Sequence, residues 1–265
     1  MNQLLLPADV LTALRLPATA LTDQRVPKKL LLEHGTPTPA DRRLIETHLE
    51  ELWWHASLKP HTVGIPDFHD ESHTYPELAV LTLALRGTTA DTAKAARLTE
   101  LIHRAIPYPL LLLTHGPGQP LLSTSVAHKR RSQISHDDIV LESAPVSCHL
   151  NLNLPYPHLG FDAPYLQNLD ITKPTRDLYT LYDAWVGAAL AHAAAAITGQ
   201  FRPPADAPAH RTALRQHAEL EREIATLRTA AKKERSLARR AELNLKVQAL
   251  TREQQTQTRH LLDLT

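Results

Sequence analysis

Apolar positions along the 265-residue chain fall into runs whose spacing changes several times, and each change marks an element. Residues 7–14 form a first short helical piece, followed by a proline-punctuated link through Pro17. Residues 27–35 spell a helical turn, with Pro27 near its start and Gly35 able to end it in a left-handed conformation. Thr38, Pro39 and Asp41 open a stronger helix as cap, first-turn residue and reciprocal partner. Leu44, Ile45, His48, Leu49, Leu52 and Trp53 then recur at helical spacing, which carries this helix to residue 53. A short strand is expected at residues 62–65, then a polar loop at residues 67–75.

Residues 77–86 are apolar on both parities, as suits a central strand covered on two faces. Residues 91–105 are amphipathic through Ala95, Leu98, Leu101, Ile102 and Ala105 and stop at Pro107. Residues 109–114 form another buried strand, and a Gly-Pro turn at residues 116–120 reverses the chain into a strand at 121–127. The resulting order is β-β-α-β-β on one small mixed sheet packed on helices, an α/β (α+β) body. Weaker strand signals follow at residues 139–141 and 146–150, then a proline-rich connector and a long helix over 175–198.

Residues 201–209 have a linker composition, and beyond Pro208 there is neither Gly nor Pro. Leu220, Ile224, Leu227 and Ala231 follow one helical phase, while Val247, Leu250, Gln254, Gln257 and Leu261 follow another. The break near residues 232–244 predicts an antiparallel hairpin or a stuttered coiled coil. The expected organisation is therefore a body at 1–200, a linker at 201–209 and a helical arm at 210–265. Such an arm cannot bury its apolar stripe alone.

Charge sharpens this picture. The chain as a whole carries +1, yet residues 210–265 hold 12 Lys/Arg against 7 Asp/Glu, leaving the body acidic. A lone cysteine, Cys148, excludes an internal disulfide and a Cys-based zinc site. The residues at 1–7 lack the basic start of a secretory signal, and the alanine-rich run at 185–197 is too short to span a bilayer. A cytoplasmic protein with no membrane partner is expected. Phosphate-loop, dinucleotide, nucleophile-elbow and deaminase motifs are absent from the sequence, and no cofactor or metal is expected.

Several strings match a known pattern: Pro27-Lys28-Lys29, Trp53 with Leu58-Lys59-Pro60, Tyr75-Pro76-Glu77-Leu78, and Ile102-His103-Arg104-Ala105-Ile106-Pro107-Tyr108-Pro109. With Ala127-His128-Lys129-Arg130 and Glu242-Leu243-Asn244, they resemble the bacterial DUF4391 family over about residues 27–250. The family's description assigns no activity. The resemblance implies a setting beside DNA methyltransferases and helicases of restriction-like, antiphage systems, and so an accessory subunit whose partners are other subunits of such a complex.

Candidate contacts follow from charge. Lys232, Lys233, Arg235, Arg239 and Arg240 form a cationic stripe able to meet phosphate oxygens, as in double-stranded DNA, or a partner's acidic helix. A solvated hairpin end is the bland account of the same run. Lys129, Arg130 and Arg131 after a strand, and Lys28 with Lys29, are further binding candidates; exposed surface charge is the bland account of each.

A different class of function, a Mg²⁺-dependent nuclease, would need Glu77 with Asp67 or Asp70 to converge beside a lysine. Ala79 stands where such a core carries lysine, leaving Lys129 as the substitute, and a plain ion pair is the competing role for Glu77. His69 and His73 flank Asp70 without the spacing of a zinc-protease helix, and Cys148 and His149 point to opposite faces of a strand. A third reading is self-association through the arm.

Overall fold

A computed structural model describes residues 6–34, 38–87, 92–116, 121–134, 138–151 and 160–264. Gly35, Asp91 and residues 117–120, to which a helix end, a helix start and a turn were assigned from sequence, lie outside the described residues. The chain divides into two compact units, Met1–Ala189 and Leu190–Thr265.

The first unit is built on a six-stranded mixed sheet. In chain order its elements begin with α1 (Pro7–Ala13), a 3-10 turn (Ala18–Ala20), β1 (Leu21–Arg25), α2 (Lys28–His34) and α3 (Pro39–His48). Then come β2 (Leu49–Leu58), α4 (Pro60–Val63), β3 (Phe68–His69), β4 (Thr74–Tyr75), β5 (Leu78–Leu85) and α5 (Thr92–Ala105). The sequence continues with β6 (Leu110–His115), β7 (Leu121–Val126), β8 (Lys129–Arg131), β9 (Ile139–Leu141), β10 (Val146–Asn151), α6 (Asp162–Asn168) and α7 (Leu178–Thr198).

The strand order is β1-β2-β5-β6-β7-β10. Among the described residues only β5 and β6 pair in parallel, joined by α5 as the crossover that parallel neighbours require. β5 and β6 are buried on both parities, as their continuous apolar runs dictate. One face packs Ala79, Leu81, Leu83, Leu110 and Leu112 against Leu98, Leu101 and Ile102 of α5, with Leu31 of α2 and Ile45 of α3. The other carries α7: Tyr182 Oη donates to the Leu110 carbonyl at 2.8 Å, and Cys148 Sγ donates to the Ala189 carbonyl at 3.4 Å.

The β-β-α-β-β core is present, but its first strand is β2 rather than residues 62–65. Helix α3 starts at the expected Thr38 box, where the Asp41 N–H donates to Thr38 Oγ1 at 3.2 Å, and it stops at His48. The next ten residues are strand. Bulges between Leu49 and Glu51 and between Trp54 and Ala56 break the two-residue alternation. They leave Leu49, Leu52 and Ala56 buried at intervals of three and four, which imitates a helix. Residues 60–63 instead form one helical turn, with Pro60 at its start and Gly64 in the left-handed region at φ 72°. Edge strand β1 is exposed along its whole length, so no apolar pattern announced it.

The second unit holds the end of α7 from Leu190, then α8 (Ala207–Lys233) and α9 (Leu237–Asp263). The two 27-residue helices form a hairpin, each about 40 Å long. Asp206 caps α8 by accepting from the Ala209 N–H at 2.9 Å. The Ala205 N–H meets the Leu264 carbonyl at 3.4 Å, which returns the end of α9 to the start of α8. The link at residues 234–236 lies inside the predicted phase break.

Candidate interaction surface

All but one of the strings that carry the family resemblance lie in the first unit; Glu242-Leu243-Asn244 lies on α9. Helix α5 ends in a stretch where Pro107 and Pro109 have no N–H to offer, so the carbonyls of His103 and Ala105 lose their ordinary donors four residues on. Lys129 supplies one replacement: its Nζ donates to the carbonyls of His103 and Ile106. The side chain is buried, and burial pushes its ammonium down to about 7. His103 beside it is fully inaccessible and held down to about 3, by burial first and by Lys129 second. Its Nε2 sits 3.0 Å from Ser125 Oγ.

The preceding residue anchors a second chain of bonds. His128 Nε2 lies 3.1 Å from the Asp183 carboxylate, so that nitrogen carries the proton, and Nδ1 accepts from the Tyr75 hydroxyl at 2.7 Å. Tyr75 Oη in turn accepts from the Lys129 N–H at 3.3 Å. Tyr179 stacks on His128 with ring centroids 5.3 Å apart and touches Phe68, His73 and Tyr75 as well. These contacts bind the β3–β4 hairpin and the start of β8 to the first two turns of α7. At the opposite edge, Asp23, with φ 43°, holds His55 Nδ1 at 2.9 Å, and His55 Nε2 meets Thr82 Oγ1 at 2.8 Å. Thr82 is buried inside β5, so its hydroxyl has no open approach for a substrate, and the chain of three anchors edge strand β1.

Several expected binding residues are therefore occupied. Lys129, expected at a binding surface, is instead a buried clamp on the end of α5, unreachable by a partner. Lys28 donates to the Leu49 carbonyl, and burial, followed by Arg86, lowers its ammonium. Lys29 pairs one helical turn away with Glu33 at 3.5 Å. The Arg131 guanidinium binds Thr74 Oγ1 at 2.8 Å, and Arg130 donates to the Arg131 carbonyl at 3.1 Å.

The convergence a nuclease needs is not found either. Buried Glu77 pairs with Lys59 at 3.3 Å, Asp67 with His69 at 2.8 Å, and Asp70 accepts from the backbone of Ser72 and His73. No group of three His, Cys, Asp or Glu side chains able to hold a metal ion occurs among the described residues. Lys129, the lysine such a site would have borrowed, points to α5. Cys148 is buried, with its thiol pushed up to about 12, mainly by burial, and it is no nucleophile.

The far end of the hairpin is different. Lys232 and Lys233 close α8, Arg235 sits in the link, and Arg239 and Arg240 lie in the first turn of α9. Arg228 joins them one turn below, and all six are exposed. Residues 228–240 hold these six cations and one acid, Glu234, while the remainder of 210–265 balances six against six. The entire surplus of the arm is thus focused at its end. Lower down, Arg215 pairs with Glu219 at 3.9 Å and Lys246 with Glu242 at 2.8 Å. None of the six end cations has an ion pair among the described residues.

Two large apolar side chains share this end, Leu237 at 72% exposure and Leu245 at 65%. The seam below is incompletely covered: Leu261 alone is buried on α9, and Leu243, Val247 and Leu250 are half-buried. The sequence pattern located the cations. The exposed leucines it missed, because residue type does not tell which side of a helix stays open.

The family profile for DUF4391, a domain of unknown function, matches residues 14–253. The chain belongs to the DUF4391 family. Because the match runs to Glu253, well along α9, the hairpin is part of the family's domain. No curated protein and no solved structure matches the chain. No helix is long and apolar enough to cross a membrane among the described residues.

Proposed function

We propose that this DUF4391 protein is a non-catalytic holding subunit of a multi-component DNA-processing assembly of the restriction-like or antiphage kind. The body docks on a methyltransferase, helicase or similar subunit, and the hairpin end engages either another protein's helix or duplex DNA. One observation carries this reading: six unpaired, exposed cations concentrated about 40 Å along a hairpin from its closed base. Exposed charge gathered at that end of the hairpin gains little for folding, since exposed charges contribute weakly to stability. It gains more by attracting an anionic surface, whose counterions are released on contact. The defence setting comes from the family resemblance and gives the assembly its class.

The test is co-purification of the full-length protein with the products of its neighbouring genes, and titration with duplex DNA at two salt concentrations. Wild type is compared with Lys232→Glu/Lys233→Glu/Arg239→Glu/Arg240→Glu. The variant is expected to lose complex formation or salt-sensitive DNA affinity. If both are unchanged, the charge at the hairpin end has no role in holding partners.

A further inference from the structure

The hairpin end combines two features that one ligand must satisfy together. Leu237, Ala241 and Leu245 are exposed at intervals of four, so they form a row on one face of α9 about 12 Å long. The row faces away from the seam formed by Leu243, Val247 and Leu250, because it sits roughly half a turn around the helix. Arg240 lies beside the row and Arg235 stands at its N-terminal end. We infer that this row is a docking site for an acidic amphipathic helix of a partner protein, leucine facing leucine and carboxylates facing Arg235 and Arg240 at its edges. The inference rests on the holding role proposed above and names the chemistry of what is held.

Charge and apolar area together select this occupant. Phosphates of a duplex would satisfy the cations but leave Leu237 and Leu245 in water, gaining nothing from them. A second copy docking by the same face would bring two ends of net +5 together, and like charges at close range oppose that pairing. An anionic membrane would accept both features, yet the arm has no Trp, Tyr or Phe after Phe201 to seat in the interface. A helix presenting Leu at the spacing of turns, flanked by Glu or Asp, buries the row and neutralises its surroundings at once.

The experiment uses the full-length protein and a synthetic four-heptad peptide with Leu at the a and d positions and Glu at e and g. Fluorescence anisotropy compares this peptide with a two-turn DNA duplex and with phosphatidylglycerol vesicles, while sedimentation reports self-association. Wild type should bind the peptide in preference to the duplex and the vesicles, and added salt should weaken that binding. Leu237→Ser/Leu245→Ser should weaken it on the order of tenfold or more with helix content unchanged. Equal binding by that variant, absence of peptide binding, tighter binding to duplex or vesicle, or dimerisation through the leucine row would each overturn the inference. The holding role has its own outcome: if the leucine variant still co-purifies with its partners while the charge-reversal variant does not, the holding role stands and the helix-docking inference alone fails.

Discussion

Replacing Lys129 by methionine removes the ammonium that serves the end of α5 while keeping a flexible apolar stem of similar length. Two buried carbonyls, of His103 and Ile106, then lose their donor, and Pro107 offers none in its place. Each orphaned carbonyl costs about 1–3 kcal/mol. Against this, the wild type bears the cost of desolvating an amine whose folded value is about 7 compared with 10.5 in its ordinary state. That cost is of similar size near pH 7, so the decisive quantity is the slope with pH.

A lysine depressed by folding contributes stability that is complete above its unfolded value and is lost as pH falls toward its folded value. The stability difference between wild type and Lys129→Met should therefore grow by about 1.4 kcal/mol per pH unit as pH rises above 7, and flatten below it. Urea unfolding followed by tryptophan fluorescence measures it cleanly. The three tryptophans, Trp53, Trp54 and Trp185, all belong to the first unit, so the hairpin does not contribute to the signal. A difference that stays flat from pH 7 to pH 9 would show that the ammonium remains charged in the interior, and the argument from burial would be refuted.

Other outcomes follow from the same geometry. Reversing Lys232, Lys233, Arg239 and Arg240 to Glu should leave the urea midpoint of the body unchanged, because all four are exposed and unpaired; a shift in that midpoint would reveal a structural role. Asp41 closes the Thr38 capping box of α3 and is held by Arg97 at 2.8 Å and 2.9 Å, and the Arg97 hydrogen bond depresses its carboxyl well below the usual range. Its contribution is present above about pH 4 and lost as pH falls further, so Asp41→Asn should lower stability at neutral pH and flatten the acid limb of the stability curve. Cys148 should resist a disulfide-exchange reagent at pH 8 in the native protein and react at once in denaturant, since its thiol is both inaccessible and shifted up to about 12. Rapid labelling of the native protein would place the thiol at the surface instead.

Strong local signals survived folding. The Thr38 box, the two doubly apolar strands β5 and β6, crossover helix α5 and the hairpin break at residues 234–236 are all readable in the sequence, because each depends on side chains within a few residues of one another. So does the focus of charge at residues 228–240, which needs only counting. Strand β2 was hidden because its bulges are set by what β5 and β1 present opposite it, and no spacing within residues 49–58 records that. The roles of the cations were divided the same way. Lys129 and Lys233 carry the same side chain in similarly basic strings, yet one is buried on two carbonyls 23 and 26 residues away and the other stands in solvent. The sequence by itself determined where helices, strands and charges lie along the chain, since propensity, capping and composition act over short range. Tertiary structure alone decided which charges are consumed within the fold and which remain free, because desolvation and hydrogen-bond partners are properties of neighbours in space.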